Sequence, residues 1–297
     1  MIAKQYKTAA AFRTGLENRL QKLAASEAVD VQRLRRQVAF DRFLCRLFQY
    51  SASAWVLKGG YAMELRIKAA RTTRDIDLGL RRVPESKDAA AMAENTLLML
   101  QKAAGIDMHD FFGFRIGAAI MELEAAPYFG MRYPAEAIMD GRTFCRFHVD
   151  VSAGDVLHEQ YELLKGRDWL GFAGVARGEF PSISEEEQFA EKMHAYTLLR
   201  EGRDNSRVKD LVDMVLLIDK GNMVRANVVR AIYDTYRIRR THAVPKVFPT
   251  PPASWMAPFA DLAKECGIDR QINTQFSRVA HYVMPILAEL SGRAFPQ

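Results

Sequence analysis

Cysteine is scarce in this chain: Cys45, Cys145 and Cys266 stand far apart, and no Cys-x-x-Cys pair occurs. An odd, scattered set excludes a disulfide framework or thiolate zinc site and suits a reducing compartment. No apolar run approaches the ~20 residues that a membrane-spanning helix needs. The opening Met1-Ile-Ala-Lys-Gln-Tyr-Lys7 also lacks the apolar core of a secretion signal. Both absences predict a cytoplasmic protein without a membrane partner. There is no Gly-x-x-x-x-Gly-Lys-Ser/Thr phosphate loop, no Gly-x-Ser-x-Gly elbow and no His-Glu-x-x-His helix. P-loop hydrolysis, elbow-type acyl transfer and zincin chemistry therefore fall away. No low-complexity tract or internal repeat points to disorder or a solenoid.

What remains is an ordinary globular composition over 297 residues, enough for one large domain or two modest ones. Lysine and arginine (42) exceed aspartate and glutamate (36), a formal charge of +6. A modest basic excess fits a polyanionic partner without establishing one.

The informative stretch is Lys58-Gly-Gly-Tyr-Ala-Met-Glu-Leu-Arg66 followed by Arg71-Thr-Thr-Arg-Asp-Ile-Asp-Leu78. Ser53–Leu57 reads as a short buried strand, Gly59 and Gly60 as a turn that needs close backbone approach, and Tyr61–Ile67 as a short helix. A second strand begins near Asp75, with Ile76, Leu78 and Leu80 on one face and Asp75 and Asp77 on the other. Two carboxylates at i and i+2 repel each other unless they share a hard cation such as Mg²⁺. Metals held this way orient triphosphate oxygens, the chemistry of nucleotidyl transfer. A bare Asp-x-Asp more often caps a neighbouring turn; the Gly-Gly turn upstream reverses that preference in favour of the site.

Gly59-Gly60, a short helix and Asp75-Ile-Asp77 resemble the signature of the polymerase-β-like nucleotidyltransferases. More narrowly, Lys58-Gly-Gly-x-x-x-Glu-Leu-Arg with Arg71-Thr-Thr-Arg-Asp-x-Asp resembles the AbiEii/AbiGii toxin family, which includes the MenT toxins. Glu191-Lys-Met-His-Ala195 and Lys209-Asp-Leu-Val-Asp213 fit that family's lysine-bearing helix and its Asp-x-x-Asp helix. The likeness spans residues 35 to 220, and the interval from Gly60 to Asp75 is slightly long for the general fold pattern.

Elsewhere the chain predicts helices over Thr8–Leu23 and, capped by Asp30, over a second segment with Leu34, Val38, Phe40 and Leu44 inward. The arginines of that helix, including Arg35, Arg42 and Arg46, are either a solvated face or a phosphate-tracking surface. Pro84–Lys87 is a break, Asp88–Ala104 a helix and Phe114–Leu123 a strand. Pro127–Pro134 reads as a turn or loop. Thr143–Ser152 is a strand on which Arg146, His148 and Asp150 share a face, so Asp150 either joins Asp75 and Asp77 or fixes the Ser152–Gly154 turn. Gly166–Pro181 reads as an irregular boundary.

Ser184 and Glu187 form a capping box that opens a helix to about Arg200, with Phe189, Met193, Tyr196 and Leu199 inward. A polar loop, Glu201–Arg207, precedes a helix over Val208–Asp219. Asp213 lies beside an apolar run there and needs a partner such as Lys192 or Arg207. Arg237, Arg239, Arg240 and His242 near Tyr233 and Tyr236 are either an RNA surface or a cation-favouring helix end.

The expected fold is α+β: an N-terminal lobe (1–165) with a small mixed sheet and leading helices, then a mainly helical lobe (180–297). The resemblance implies a toxin of a toxin–antitoxin system that transfers a nucleoside monophosphate from a nucleoside triphosphate to the 3′ end of tRNA. It implies Mg²⁺ or Mn²⁺, tRNA and a cognate antitoxin as partners. In this reading Asp75, Asp77 and Asp150 hold metal, while Asp75, Asp77, Lys192 and Asp213 carry catalysis. Gly59, Gly60, Lys58, Thr73, Arg74 and Lys192 bind nucleotide, and Arg71 assists. A protein or small-molecule acceptor, and a non-catalytic RNA-binding module, are the alternatives.

Overall fold

A computed structural model describes residues 6–50, 53–82, 88–123, 126–157, 161–198 and 205–291. The break at 84–87, Leu199 and Arg200, and residues 201–204 of the polar loop lie outside the described residues. Two helices lead, α1 (Ala9–Glu27) and α2 (Val31–Leu47). Thr8 and Asp30 cap them by accepting the Ala11 and Gln32 N–H groups, as short polar side chains do at a helix start. Strand β1 (Trp55–Lys58), helix α3 (Gly59–Arg66) and strand β2 (Asp75–Leu80) follow. Then come α4 (Ala89–Ala104), β3 (Phe112–Ile116), β4 (Met121–Glu122), β5 (Phe129–Met139) and β6 (Arg142–Ala153). The chain continues through β7 (Glu162–Lys165), β8 (Glu179–Ser182), α5 (Glu185–Thr197), α6 (Val208–Lys220), α7 (Arg225–Arg239), α8 (Met256–Cys266) and α9 (Ile272–Ser291).

Among the described residues eight strands form one mixed sheet in the order β3-β5-β6-β2-β1-β8-β7, with β4 also paired to β5. β2 runs antiparallel to β1 and parallel to β6, so two central strands meet with their polar faces aligned. The fold is therefore α+β with a mixed sheet; α1 and α2 precede the strands, α3 and α4 lie between them, and α5 to α9 follow.

Three local expectations change. Residues 127–134, expected as a loop, belong largely to the long strand β5. Pro134 is tolerated there because its carbonyl still accepts from the Gly117 N–H at 2.9 Å, although the ring donates nothing. Asp140 and Gly141 join β5 to β6 with φ of 54° and 67°, the two-residue hairpin geometry that suits twisted strands. The Phe114–Leu123 strand is two pieces, β3 and β4. The 166–181 stretch ends in β8, which pairs with β1 through Leu57↔Ser182 and so belongs to the sheet.

Two apolar clusters hold the chain. One packs α1, α2 and α4 on the sheet around Phe40, Phe43, Phe147 and Val149. The other gathers α5 to α9 around Phe189, Leu216, Phe259 and Val283, and takes in Met63, Ile67 and Ala70 from the α3 region. Arg42 and Arg46 are neither solvated nor free for phosphate: they are 2% and 1% exposed and both grip Asp110. Asp110, the Arg42 carbonyl and the Phe112 carbonyl take the two terminal nitrogens of Arg46 in that core, while its Nε stays buried without a hydrogen bond. The basic patch at the end of α7 is split in the same way. Tyr236 is buried, Arg239 is half-buried with its guanidinium held in ion pairs, and His242 packs against His194, so these three present no joint surface.

Candidate active site

The site starts at the C-terminal end of β1. The chain leaves Lys58 and turns at Gly59 with φ +65°, a left-handed conformation that glycine adopts without strain. A side chain there would also collide with Asp77, its Cβ falling 2.6 Å from that of Asp77. At Gly60 an added Cβ would lie 2.5 Å from Thr73 Oγ1. Both glycines are thus required by close approach of α3 to β2. The Gly60 N–H donates to Asp77 Oδ2 at 3.2 Å, fixing the carboxylate at the start of the helix.

Register assembles the acids. Asp77 is the Cα partner of Asp150 and Asp75 that of His148 across the parallel β2–β6 pair. Residues opposite one another share a face, so Asp75, Asp77 and Asp150 line one side of the sheet. Burial, and then the neighbouring Asp150 charge, push the Asp77 carboxyl up to about 6. His148 Nδ1 lies 3.2 Å from Asp75 Oδ1.

Arg132, on β5 opposite Asp150, donates to both its oxygens at 2.7 Å and reaches Asp75 Oδ2 at 3.2 Å. Among the described residues no group of three or more His, Cys, Asp or Glu side chains is arranged to hold a metal ion. The donor chemistry of Asp75 and Asp77 nevertheless suits a hard divalent cation, because the buried Asp77 carboxylate faces the Asp150 charge and makes no direct ion pair among the described residues. Asp150 already has one, and could join a metal shell only if Arg132 let go.

The second wall comes from the helical cluster. Lys192 on α5 sends its ammonium to Asp213 Oδ2 at 2.8 Å and Asp210 Oδ1 at 3.1 Å, both on α6. Burial alone would depress the lysine pKa, but Asp213 and Asp210 outweigh it and hold the ammonium charged. Asp213 is 0% exposed and also takes a two-pronged bond from Arg71, at 3.0 and 2.8 Å. Burial would raise its carboxyl; Lys192 and Arg71 together bring it below the usual range. Lys192 is the partner the sequence called for, and Arg71 is an additional one.

A cleft of about 570 Å³ collects Gly59, Gly60, Thr73, Asp75, Asp77, Asp150 and Lys192. Asp213 does not line it; it stands behind Lys192 and holds that side chain in place. Lys58 lines the cleft, yet its ammonium is taken by Asp155 at 2.5 Å and Glu191 at 3.2 Å. Arg239 closes the same network on Asp155 at 2.6 Å and Glu191 at 3.1 Å, tying β1, the segment after β6, α5 and α7 together. Arg74 lines a neighbouring groove instead of the cleft. Arg132, Asp155, Glu191 and Arg239 are site residues that the sequence reading did not assign. The alternation Arg132-x-Pro134-x-Glu136 was the available signal for the first, hidden by the two prolines around it.

No curated protein matches the sequence. Among solved structures, MenT4, nucleotidyltransferase toxin Rv2826c from Mycobacterium tuberculosis H37Rv, superposes with a TM-score of 0.51 at 15% identity. That match covers 92% of this chain and 98% of MenT4. JHP933 from Helicobacter pylori gives a TM-score of 0.48 at 13% identity over 88% of this chain and 96% of its own. At such identities the MenT4 likeness speaks to the fold alone. The model of the family described as "Nucleotidyl transferase AbiEii toxin, Type IV TA system" matches residues 42–276. That span contains every acid and base of the cleft, and the chain belongs to the AbiEii family of nucleotidyltransferase toxins.

Proposed function

We propose that this nucleotidyltransferase moves a nucleoside monophosphate from a nucleoside triphosphate to the 3′ end of tRNA, blocking aminoacylation. One observation carries the reading: Asp75 and Asp77 share a cleft with the Gly59-Gly60 turn and the charged Lys192. Acids for a cation, open backbone for phosphates and a fixed ammonium for developing charge are the parts that such a transfer needs.

In this reading the triphosphate lies along Gly59, Gly60 and Thr73, with its oxygens toward the Lys192 ammonium. The acceptor hydroxyl attacks the α-phosphorus from the Asp75 side. A new oxygen–phosphorus bond forms, the bond to the β-phosphate oxygen breaks, pyrophosphate leaves and the hydroxyl proton passes to solvent. Asp75 and Asp77 would hold Mg²⁺ or Mn²⁺, which when bound neutralises phosphate charge and lowers the pKa of the attacking hydroxyl. Asp213 and Arg71 orient Lys192. Glu191 and Asp155 keep Lys58 and Arg239 paired, so these two bases hold the site's walls together rather than the nucleotide.

The lobes are residues 1–165 and 180–297, with β8 at the start of the second completing the sheet of the first, and the cleft is lined from both. The family's toxin–antitoxin description supports a cognate antitoxin as the partner, and a cytoplasmic location follows from tRNA and triphosphates as substrates. Labelled nucleotide incubated with protein and total cell extract tests the acceptor. Label on small RNA is the expected result, and label that travels with protein would contradict it.

A further inference from the structure

Beside the catalytic cleft, on the far side of Asp75, lies a second groove of about 720 Å³. Asp75 and Arg132 line both, so the two spaces adjoin at these side chains. The walls of the second are dominated by one residue type: Arg36, Arg74, Arg115, Arg132 and Arg146, with His148 at the seam.

The sheet register explains the pattern. Along the open face, Asp77, Asp150 and Arg132 form one row across β2, β6 and β5, and Asp75, His148 and Pro134 form the next. Two residues further on, Arg146, Glu136 and Arg115 form a third row across β6, β5 and β3. Four residues of strand from Asp150 to Arg146 span about 13 Å. The basic row therefore sits one short stretch of nucleic acid away from the acids.

These cations are under-compensated. Arg115 and Arg146 share one carboxylate, Glu136, at 3.8 and 3.2 Å, while their side chains stay 78% and 77% exposed. Arg74 is exposed and has no ion-pair partner among the described residues, and the Arg36 Nε is buried without a hydrogen bond. Guanidinium groups left this way at a groove wall are suited to phosphate oxygens, which they engage in a two-pronged fashion. The ring that lines the groove, Phe147, is itself buried in the core, so base stacking contributes little and backbone contact dominates.

We infer that this groove carries the acceptor RNA strand, with its 3′ hydroxyl at Asp75 and its upstream phosphates on Arg74, Arg36, Arg115 and Arg146. The inference rests on nucleotide transfer to RNA as proposed above, and adds where the RNA lies. It also assigns RNA to a different surface from the end of α7.

The experiment compares wild type, Arg115→Ala/Arg146→Ala and Arg237→Ala/Arg240→Ala. Filter binding of total tRNA across a salt series is read beside nucleotide transfer. The altered side chains are exposed and lie outside both cores, so folding is preserved. The groove variant should lower the log–log salt slope by about 1.4, two single-strand phosphate contacts, and raise the KM for tRNA at least tenfold. Its KM for nucleoside triphosphate should not change. The α7 variant should behave as wild type. A wild-type slope and KM in the groove variant, or a loss in the α7 variant instead, overturns the groove while leaving transfer to RNA intact. Wild type that labels protein and no RNA overturns both.

Discussion

Asp77 and Asp150 stand directly opposite each other on parallel strands, yet only Asp150 has a guanidinium of its own, from Arg132. Burial first, and then the Asp150 charge, raise the Asp77 carboxyl, which singles it out as the acid most relieved by a cation. Arg132 is a built-in competitor for Asp75 and Asp150.

Removing that competitor should strengthen cation binding. Arg132→Met leaves Asp75 and Asp150 facing Asp77 without a positive partner, and Mn²⁺ affinity measured by titration calorimetry should rise about tenfold, some 1.4 kcal/mol. Unchanged or weaker binding would show that Arg132 does not occupy the cation's place.

Asp213 neutralises two buried cations at once, Lys192 and Arg71. Asp213→Ala should destabilise the protein by about 3–5 kcal/mol, because Arg71 stays buried unpaired and Lys192 keeps only Asp210. Lys192→Met should cost far less, since Arg71 still satisfies Asp213, while abolishing transfer equally. Urea unfolding of the two variants separates them, and equal stabilities would contradict the positioning role given to Asp213.

Thr73 lines the cleft, its hydroxyl close to Gly60. A negative charge there would face incoming phosphates, so Thr73→Glu, or phosphate on Thr73, should weaken nucleotide binding by at least tenfold, about 1.4 kcal/mol. Thr73→Ser should bind normally. Equal nucleotide affinity for the Glu variant would remove Thr73 from the phosphate path.

His194 is buried against Tyr236 and His242, accepts or donates with Thr241 at 2.8 Å, and leaves Nδ1 without a partner. Burial, then Arg239 and His242, lower its pKa from 6.5 to about 3, against a weaker opposing pull from Asp155. The unfolded chain therefore takes up the proton first as pH falls. Stability that is present above pH 6.5 is lost on acidification, by about 1.4 kcal/mol per pH unit towards the folded pKa. His194→Gln should remove that component, seen as a flatter profile of unfolding free energy between pH 6.5 and 4. Parallel profiles would contradict it.

The strand–turn–helix and the Asp-x-Asp strand were legible because period-two alternation and a glycine pair act locally. The capping box at Ser184 and Glu187 was equally so. Asp150 could be placed on the right face of its strand, but not beside Asp77, since parallel register is set by partners far away in sequence. The fate of individual charges was the least legible part. Arg42, Arg46 and Arg239 look like surface cations in sequence and are ion-paired in the fold, the first two in the core and the third at the cleft wall, because their acids, Asp110, Asp155 and Glu191, arrive from other elements. Lys58 lines the cleft as expected, but its ammonium is paired with Asp155 and Glu191, which come from other elements.

The most direct measurement is transfer from each of the four α-labelled nucleoside triphosphates to total tRNA with Mg²⁺, wild type beside Asp77→Ala. Label on tRNA from one or two donors, absent in the variant while its fold is retained, is the predicted result. No label on tRNA from any donor with folded wild-type protein would contradict the account.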